Sequence, residues 1–506
     1  MTPFLAPRPL PPEQLRRSWG QRMLLTFNVL LIAATLAIAA GFAYGGQRAA
    51  AVNRVALDRS LSERPEAVPG SRVLNVLLVG SDSSANLDPD DPVQVGRHGE
   101  KLGDVIIIVH IDERTRSLTM LSLPRDLWVD VADSNRQSRI NRTYSLGGAA
   151  MLINTIEENF DIPIHHFVNV DFASFEGLVE ALGGVDVYFD TPARDWNVNA
   201  KPQPRSQTGF LVETAGCHRL SPRQALSYVR SRYYQTMTED GRWVTDPTAD
   251  LGRIRRQQGF LKSLMQQAVR QGARNPLVLA DVVDVAIQNV QIDQDLTAAE
   301  ILDLATSYST FEPSELETYT FPAIDDTIRG NRVLVPQHER AGPLVALFNG
   351  APQNSPTSVS VMVRTAPDSG AQGRRVAAEL RGAGYLVETD TVNGVAPGVE
   401  IAHGGSEGAL AEMAASVLGD HEPTIVDGTP GAPRTLVVSV GPENTGTPDD
   451  PEGQLAPEPG ATSGATPDTA ARGEVAQEGT GVGDTPGTTA VGTVGSEPEI
   501  LARGQC

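Results

Sequence analysis

Two segments of this chain, Val73–Val79 (VLNVLLV) and Val105–Ile111 (VIIIVHI), run almost without a polar side chain. A strand that is apolar on both faces must be covered on both, so these runs predict a central sheet with helices above and below it. The turn-like stretch Asp112–Arg116 leads into a third apolar run, Leu118–Leu123, which predicts a hairpin. Helical spacing follows at Ala149, Leu152, Ile153, Ile156 and Phe160, and again at Phe172, Phe175, Leu178, Val179 and Leu182. Gly183 and Gly184 stop the second of these helices, and Val185–Phe189 returns as a strand. Further helices are expected around Ala225–Val229 and from about Gly252 to Val269. The expectation is a three-layer α/β (α+β) domain with a central mixed sheet over residues 72–350.

Other units flank it. Residues 1–22 are Pro-rich and carry Arg8, Arg16, Arg17 and Arg22. Met23–Tyr44 then holds no charge, and 22 helical residues span ~33 Å, enough for a hydrocarbon core of ~30 Å. A cleaved signal peptide is the rival, but its apolar region is usually only ~7–15 residues, which favours an uncleaved transmembrane helix. The expected topology is a cytoplasmic segment 1–22, a span 23–44 and a stalk 45–71. Arginines stand on both sides of the span, so charge alone orients it weakly. Residues 351–357 read as a linker, and 358–441 as a small α/β domain with strands at Val359–Val363, Tyr385–Thr389 and Leu436–Val440 and helices at Ala371–Leu380 and Ala409–Leu418. Residues 442–506 contain no aromatic side chain and eleven acids against Arg472 and Arg503, the composition of a disordered acidic tail.

The formal net charge of −21 argues against nucleic acid as a partner. Only Lys101, Lys201 and Lys262 are lysines, so arginine abundance by itself says little and position must carry the argument. Two cysteines, Cys217 and Cys506, do not make a disulfide scaffold, and a bridge between them would have to close a very long loop; a buried free Cys217 is the favoured reading. The histidines show no zinc-ligand spacing, and the adjacent His165 and His166 would point to opposite faces of a strand.

Four segments carry residues suited to chemistry. Gly80-Ser81-Asp82-Ser83-Ser84 follows the first apolar strand, and an acid at the carboxyl end of a buried strand suits a metal or phosphate site, although an Asx turn would also end the strand there. Gly103-Asp104 opens the second strand; two carboxylates at neighbouring strand ends suit a hard divalent cation. In Ser122-Leu123-Pro124-Arg125-Asp126, Arg125 either pairs locally with Asp126 or clamps phosphate bidentately. From Cys217 to Arg256 there are eight arginines and four acids, a local inversion of sign in an acidic chain. Within it, Arg230 and Arg232 alternate with Val229 and Ser231, so in a strand both would face one way and attract a dianion; a solvated basic face is the competing reading.

Taken in order, GSDS, GD, SLPRD, RINRTYSLGG (Arg139–Gly148), VDFASFEGLVEALGGVDV, ALSYVRSR and DLGRIRRQQ resemble the LytR–CpsA–Psr family of cell-envelope enzymes across about Arg72 to Arg329, and residues 358–441 look like the LytR-type C-terminal domain that follows it in many actinobacterial members. The resemblance implies a phosphotransferase that moves a phosphate-linked glycopolymer from a polyprenyl pyrophosphate lipid to peptidoglycan, on the outer side of the cytoplasmic membrane. It implies Mg²⁺ (with Mn²⁺ as a substitute) on Asp82 and Asp104, and a pyrophosphate site of Arg125, Arg230, Arg232, Arg253 and Gln257 or Gln258. The family usually carries arginine two residues before the second aspartate; here that position is Leu102, with Lys101 beside it and Arg97 upstream as cations that would restore the charge. A polyprenyl tail would need an apolar pocket, for which Leu152, Ile156, Phe172, Phe175 and Leu178 are candidates, although ordinary core is the commoner role for such positions. Two other functions fit the same residues: a polyprenyl-pyrophosphate hydrolase, and a non-catalytic envelope-binding or regulatory protein that would survive loss of the Asp and Arg positions.

Overall fold

The computed structural model describes residues 53–55, 57, 61–62, 72–81, 102–201, 203–404, 407–428, 433–442 and 506. The segment 1–22, the span Met23–Tyr44, most of the stalk, Asp82, Arg97, Lys101 and nearly all of the tail lie outside the described residues. Among the described residues no helix is long and apolar enough to cross a membrane.

In chain order the first domain contains β1 (Asn53–Val55), β2 (Val73–Ser81), β3 (Gly103–Asp112), β4 (Ser117–Ser122), α1 (Ile140–Phe160), β5 (His166–Val170), α2 (Phe172–Ala181) and β6 (Val185–Phe189). It continues through β7 (Ala193–Asp195), β8 (Leu211–Val212), β9 (Gly216–Leu220), α3 (Pro222–Arg230), β10 (Tyr234–Met237), β11 (Trp243–Thr245), α4 (Asp250–Arg270), α5 (Pro276–Gln288), β12 (Gln291–Asp293), α6 (Ala298–Ser307), β13 (Glu317–Thr320) and α7 (His338–Phe348).

The central sheet runs β1-β12-β5-β2-β3-β4-β13. It is mixed: β2 pairs antiparallel with β3 and parallel with β5, and β13 joins β4 in parallel. The two apolar runs are its inner strands, and alternation sends their side chains to opposite faces. Leu77, Val79, Ile106 and Ile108 pack with Leu152, Ile153 and Ile156 of α1 and Leu344 and Leu347 of α7. Ile107 and Met120 pack on the other face with Leu261 and Met265 of α4. Helices therefore cover both faces, as two-sided hydrophobicity requires. α1 breaks at Gly147 and Gly148, where Gly148 takes φ +65°, so the apolar periodicity from Ala149 onward marks only its second half. His165 and His166 are tied into the sheet: His165 Nδ1 accepts the Asn75 N–H at 2.8 Å, and His166 Nδ1 lies 3.1 Å from Asp293 Oδ2.

A second, smaller sheet, β8-β7-β10-β11, is built from strands of two to four residues. Beside it, β6 and β9 form an antiparallel pair. Cys217 lies on β9, is exposed, and is bonded to Cys506. This corrects the expectation of a buried free thiol: Cys217 sits on the outward side of a two-stranded pair, where Cys506 reaches it, and the Cα–Cα separation of 5.5 Å suits a bridge.

The C-terminal domain holds β14 (Ser360–Thr365), α8 (Gly370–Gly382), β15 (Leu386–Thr391), β16 (Val399–His403), α9 (Gly408–Val417), β17 (Thr424–Asp427) and β18 (Thr435–Val440), with sheet order β15-β14-β18-β16-β17. Its core joins Val361, Val363, Leu436 and Val438 of the sheet to Val376, Leu380, Leu410 and Ala414 of the helices. Arg434, fully buried, fastens this domain to the chain before it: Nε donates to Ser358 O at 2.7 Å, Nη2 donates to Ser358 Oγ at 2.8 Å and to Gln353 O, and Nη1 lies 3.6 Å from Glu317 Oε2 on β13. Glu407, also buried, accepts the Arg434 backbone N–H at 2.6 Å. Burial pushes its carboxyl up to about 7 against the opposing pull of Arg434. A folded value above the unfolded one means that the contribution to stability is present at acid pH and is lost as pH rises through about 7. The melting temperature should therefore fall more between pH 5 and pH 8 in the native chain than in Glu407→Gln; parallel curves would refute this.

Candidate active site

Sheet register brings the site together. Ser81 at the end of β2 faces Gly103 at the start of β3, across an irregularity at Gly80/Ser81. β3 opposes β4 with Ile107 across from Ser122, so Arg125, three residues beyond Ser122, returns beside Asp104, three residues before Ile107. Gly80 is needed here because a Cβ on it would stand 2.9 Å from Val105 Cβ. Arg230 is the last residue of α3, Arg232 follows it, and α4 contributes Asp250, Arg253 and Gln257 from its amino-terminal half.

The charges interlock. Asp104 Oδ1 accepts from Arg125 Nη1 at 3.0 Å, and Asp104 Oδ2 lies 3.4 Å from Arg232 Nη2. Arg253 Nη2 lies 2.8 Å from Asp250 Oδ1, while Arg125 Nε is 3.4 Å from Asp126 and 3.7 Å from Asp250. Burial pushes the Asp104 carboxyl up, but Arg232, Arg125 and Arg253 together hold it below the ordinary carboxylate range. Burial brings Arg253 down to about 10, opposed by Asp250, and the side chain still carries its proton at neutral pH. The Arg230 guanidinium rests 4.3 Å above the Phe172 ring, a cation–π contact that fixes its plane.

These groups rim a cavity of about 630 Å³. Ser81, Asp104, Arg230, Arg232, Arg253 and Gln257 line its polar part; Leu78, Ile107, Phe175, Leu178, Phe260, Leu264 and Val290 are among its apolar walls. One end therefore suits an anion and the rest suits hydrocarbon. The volume is within the ~300–1,000 Å³ usual for small-molecule sites.

The structure sorts the expected residues. Asp104, Arg230, Arg232, Arg253 and Gln257 share the cavity, and Arg125 reaches it through Asp104. Arg230 and Arg232 do so from a helix end and the loop after it, which corrects the strand reading. Gln258 does not share it: its Nε2 donates to Ser122 Oγ at 2.9 Å and Tyr319 O at 3.0 Å, tying α4 to β4 and β13. Phe172, Phe175 and Leu178 line the cavity, whereas Leu152 and Ile156 belong to the core on the other face of the sheet. Leu102 lines the cavity where the resemblance expected arginine. The local pairing of Arg125 with Asp126 offered by the sequence is present; Asp250 went unassigned, although Asp250 and Arg253 stand at the i,i+3 spacing of a helical ion pair.

Comparison with known proteins gives a match to the model of the LytR_cpsA_psr family over residues 44–346, more than half of the chain. The chain belongs to the LytR_cpsA_psr family. A curated family relative, the polyisoprenyl-teichoic acid–peptidoglycan teichoic acid transferase TagU of Enterococcus faecalis, is 32% identical over 195 residues, 38% of this chain and 54% of that protein. The protein of the same name from Bacillus cereus is 27% identical over 240 residues, 47% of this chain and 65% of that protein. The chain thus spans less than two thirds of the length of either. Among solved structures, the LytR-Csp2A-Psr enzyme from Actinomyces oris is 23% identical with a TM-score of 0.45, over 60% of this chain and 98% of that one.

Proposed function

We propose that the chain transfers a glycopolymer, with its linking phosphate, from a polyprenyl pyrophosphate carrier to a hydroxyl of peptidoglycan, and that it works outside the cytoplasmic membrane, anchored through Met23–Tyr44. The observation that carries this is the two-sided cavity: guanidinium groups at one end and an apolar interior, the chemistry of a lipid pyrophosphate. The names of the TagU relatives supply the class of polymer and acceptor. The Cys217–Cys506 bridge suits an oxidising compartment.

Arg230, Arg232 and Arg253 would bind the pyrophosphate, and the apolar walls would hold the tail. The acceptor hydroxyl attacks the sugar-side phosphorus. A new P–O bond forms, the bridging P–O bond breaks, and polyprenyl monophosphate departs with its electron pair. One proton is given up to water or carried away on the phosphate. Charge grows on the bridging oxygen as it leaves, and preorganised guanidinium groups stabilise it more than they stabilise the ground state. Asp104, held below the ordinary carboxylate range by its arginine neighbours, aligns Arg125 and Arg232.

The residues suit a hard divalent ion. Asp104 offers a carboxylate, and Ser81 Oγ is buried, faces the same cavity and has no hydrogen-bond partner among the described residues. Asp82, next in sequence, would add the second carboxylate. Bound Mg²⁺ would neutralise charge on the phosphate oxygens. Asp104 and Ser81 would hold it, and Arg125 would keep Asp104 in place.

The test is incubation of the purified full chain with lipid-linked donor and wall acceptor, with and without Mg²⁺, scoring lipid monophosphate release and polymer attachment separately. Both should appear, and both should need Mg²⁺. Release without attachment identifies a hydrolase; neither product, with the chain folded, removes the enzymatic reading.

A further inference from the structure

We infer that Asp195 is a positioning residue, which holds the two banks of the cavity mouth at the spacing that a pyrophosphate group requires. The inference rests on the lipid-pyrophosphate reading of the cavity and adds to it a residue that touches no substrate. Asp195 ends β7 and is 1% exposed. Its Oδ1 accepts from Ser231 Oγ at 2.8 Å and from the Tyr233 N–H at 3.2 Å. Its Oδ2 accepts from the Gln207 N–H at 2.7 Å, the Thr208 N–H at 3.0 Å and Ser206 Oγ at 3.3 Å.

These donors are not scattered. Ser231 stands between Arg230 and Arg232, and Gln207 and Thr208 line the same cavity from a different loop. One carboxylate thus joins the arginine-bearing segment to the loop that carries Gln207 and Thr208, one oxygen to each, beside the Ser227 Oγ–Thr208 O bond that also links them. The Arg256 Nη2–Ser231 O bond, 2.7 Å, braces the same residue from α4.

The choice of a charged residue is informative. No cation pairs with Asp195 among the described residues, so it is a buried anion without a counterion. Burial alone would favour the protonated form. Here the donated hydrogen bonds outweigh burial and keep the carboxyl below its ordinary value. An amide of the same shape would have one oxygen and one NH₂ group, and that NH₂ would face N–H or O–H donors on one bank. Only the ionised carboxylate accepts from both. Asp195 pairs with neither Arg230 nor Arg232 and acts on them through Ser231, which stands between them.

The test uses the full chain, farnesyl pyrophosphate as a probe of both parts of the cavity, and farnesol as a probe of the apolar part alone. Affinities are measured by calorimetry in the presence of Mg²⁺, with the melting temperature of each variant. Ser231→Ala removes one bond of the hub and should weaken farnesyl pyrophosphate by about 10-fold, since small displacements of a positioning group are costly, while farnesol affinity stays as in the native chain and the melting temperature falls less than in Asp195→Asn. Asp195→Asn should weaken it by about 100-fold or more, with a lower melting temperature. Should that variant fail to fold, the Ser231 arm decides alone. Unchanged farnesyl pyrophosphate binding in Ser231→Ala, or equal loss for both probes, overturns the inference and leaves the cavity reading standing. Failure of the native chain to bind farnesyl pyrophosphate overturns the cavity reading, and this inference with it.

Discussion

Turnover of the Arg230→Ala variant is expected to fall by ~10²–10³-fold, the scale of losing one preorganised charge-stabilising donor. Arg230 lies on the cavity wall, at the carboxyl end of α3 and over the face of Phe172. The first position aims it at bound anion, the second is where the helix dipole favours a cation, and the third fixes its plane. Stability should change little, because the side chain is not part of the packed core. Arg230→Lys keeps the charge but not the planar fork, so it should restore only part of the rate. Release of polyprenyl monophosphate and melting temperature, taken on the same samples, separate this from a structural role. A variant that melts early but turns over normally per folded molecule would refute it.

Arg434→Ala is expected to cost about 3–5 kcal/mol, the usual result of deleting one partner from a buried ionic cluster. The side chain is fully buried and serves Ser358 O, Ser358 Oγ and Gln353 O. Its loss strands those carbonyls and leaves Glu317 facing Glu407 with less opposing charge. The residue also takes φ +51°, which alanine tolerates no better. Urea unfolding of native and variant chains measures the difference, and a change below about 1 kcal/mol would show that the cluster contributes no more than surface pairs do.

How much of this was legible in the sequence depends on how local each signal is. VLNVLLV and VIIIVHI were readable because two-sided burial leaves few polar positions in a strand, here only Asn75 and His110, and both became inner strands of the central sheet. The second sheet was not readable: β7 and β8 are three and two residues long, too short for any period to show. In the C-terminal domain β17 was missed for a related reason, since it has no buried residue to mark a face; β16 was also missed, although its residues alternate in burial. The arginine cluster announced itself through its sign against an acidic chain, and six of the seven expected residues on described positions, Gln258 apart, meet around one cavity, Arg125 through Asp104. Adjacent residues on a helix point ~100° apart, so only one of Gln257 and Gln258 can join Arg253; Gln257, at i+4, is the one. Asp195 left no trace, because its five donors are spread from residue 206 to residue 233 and no motif surrounds it.

The bond between Cys217 and Cys506 changes the covalent topology of the molecule. Residues 217–506 become a ring that contains α3, α4, the C-terminal domain and the acidic segment, and residues 1–216 hang from it as a branch. A ring must be cut twice before anything leaves it. One proteolytic break anywhere from 218 to 505 would linearise the molecule yet release no fragment while the bridge stays oxidised. Reduction of a nicked chain would remove the covalent tie between the C-terminal piece and the first domain, so the oxidation state of one sulfur pair decides whether that tie survives damage to this part of the chain.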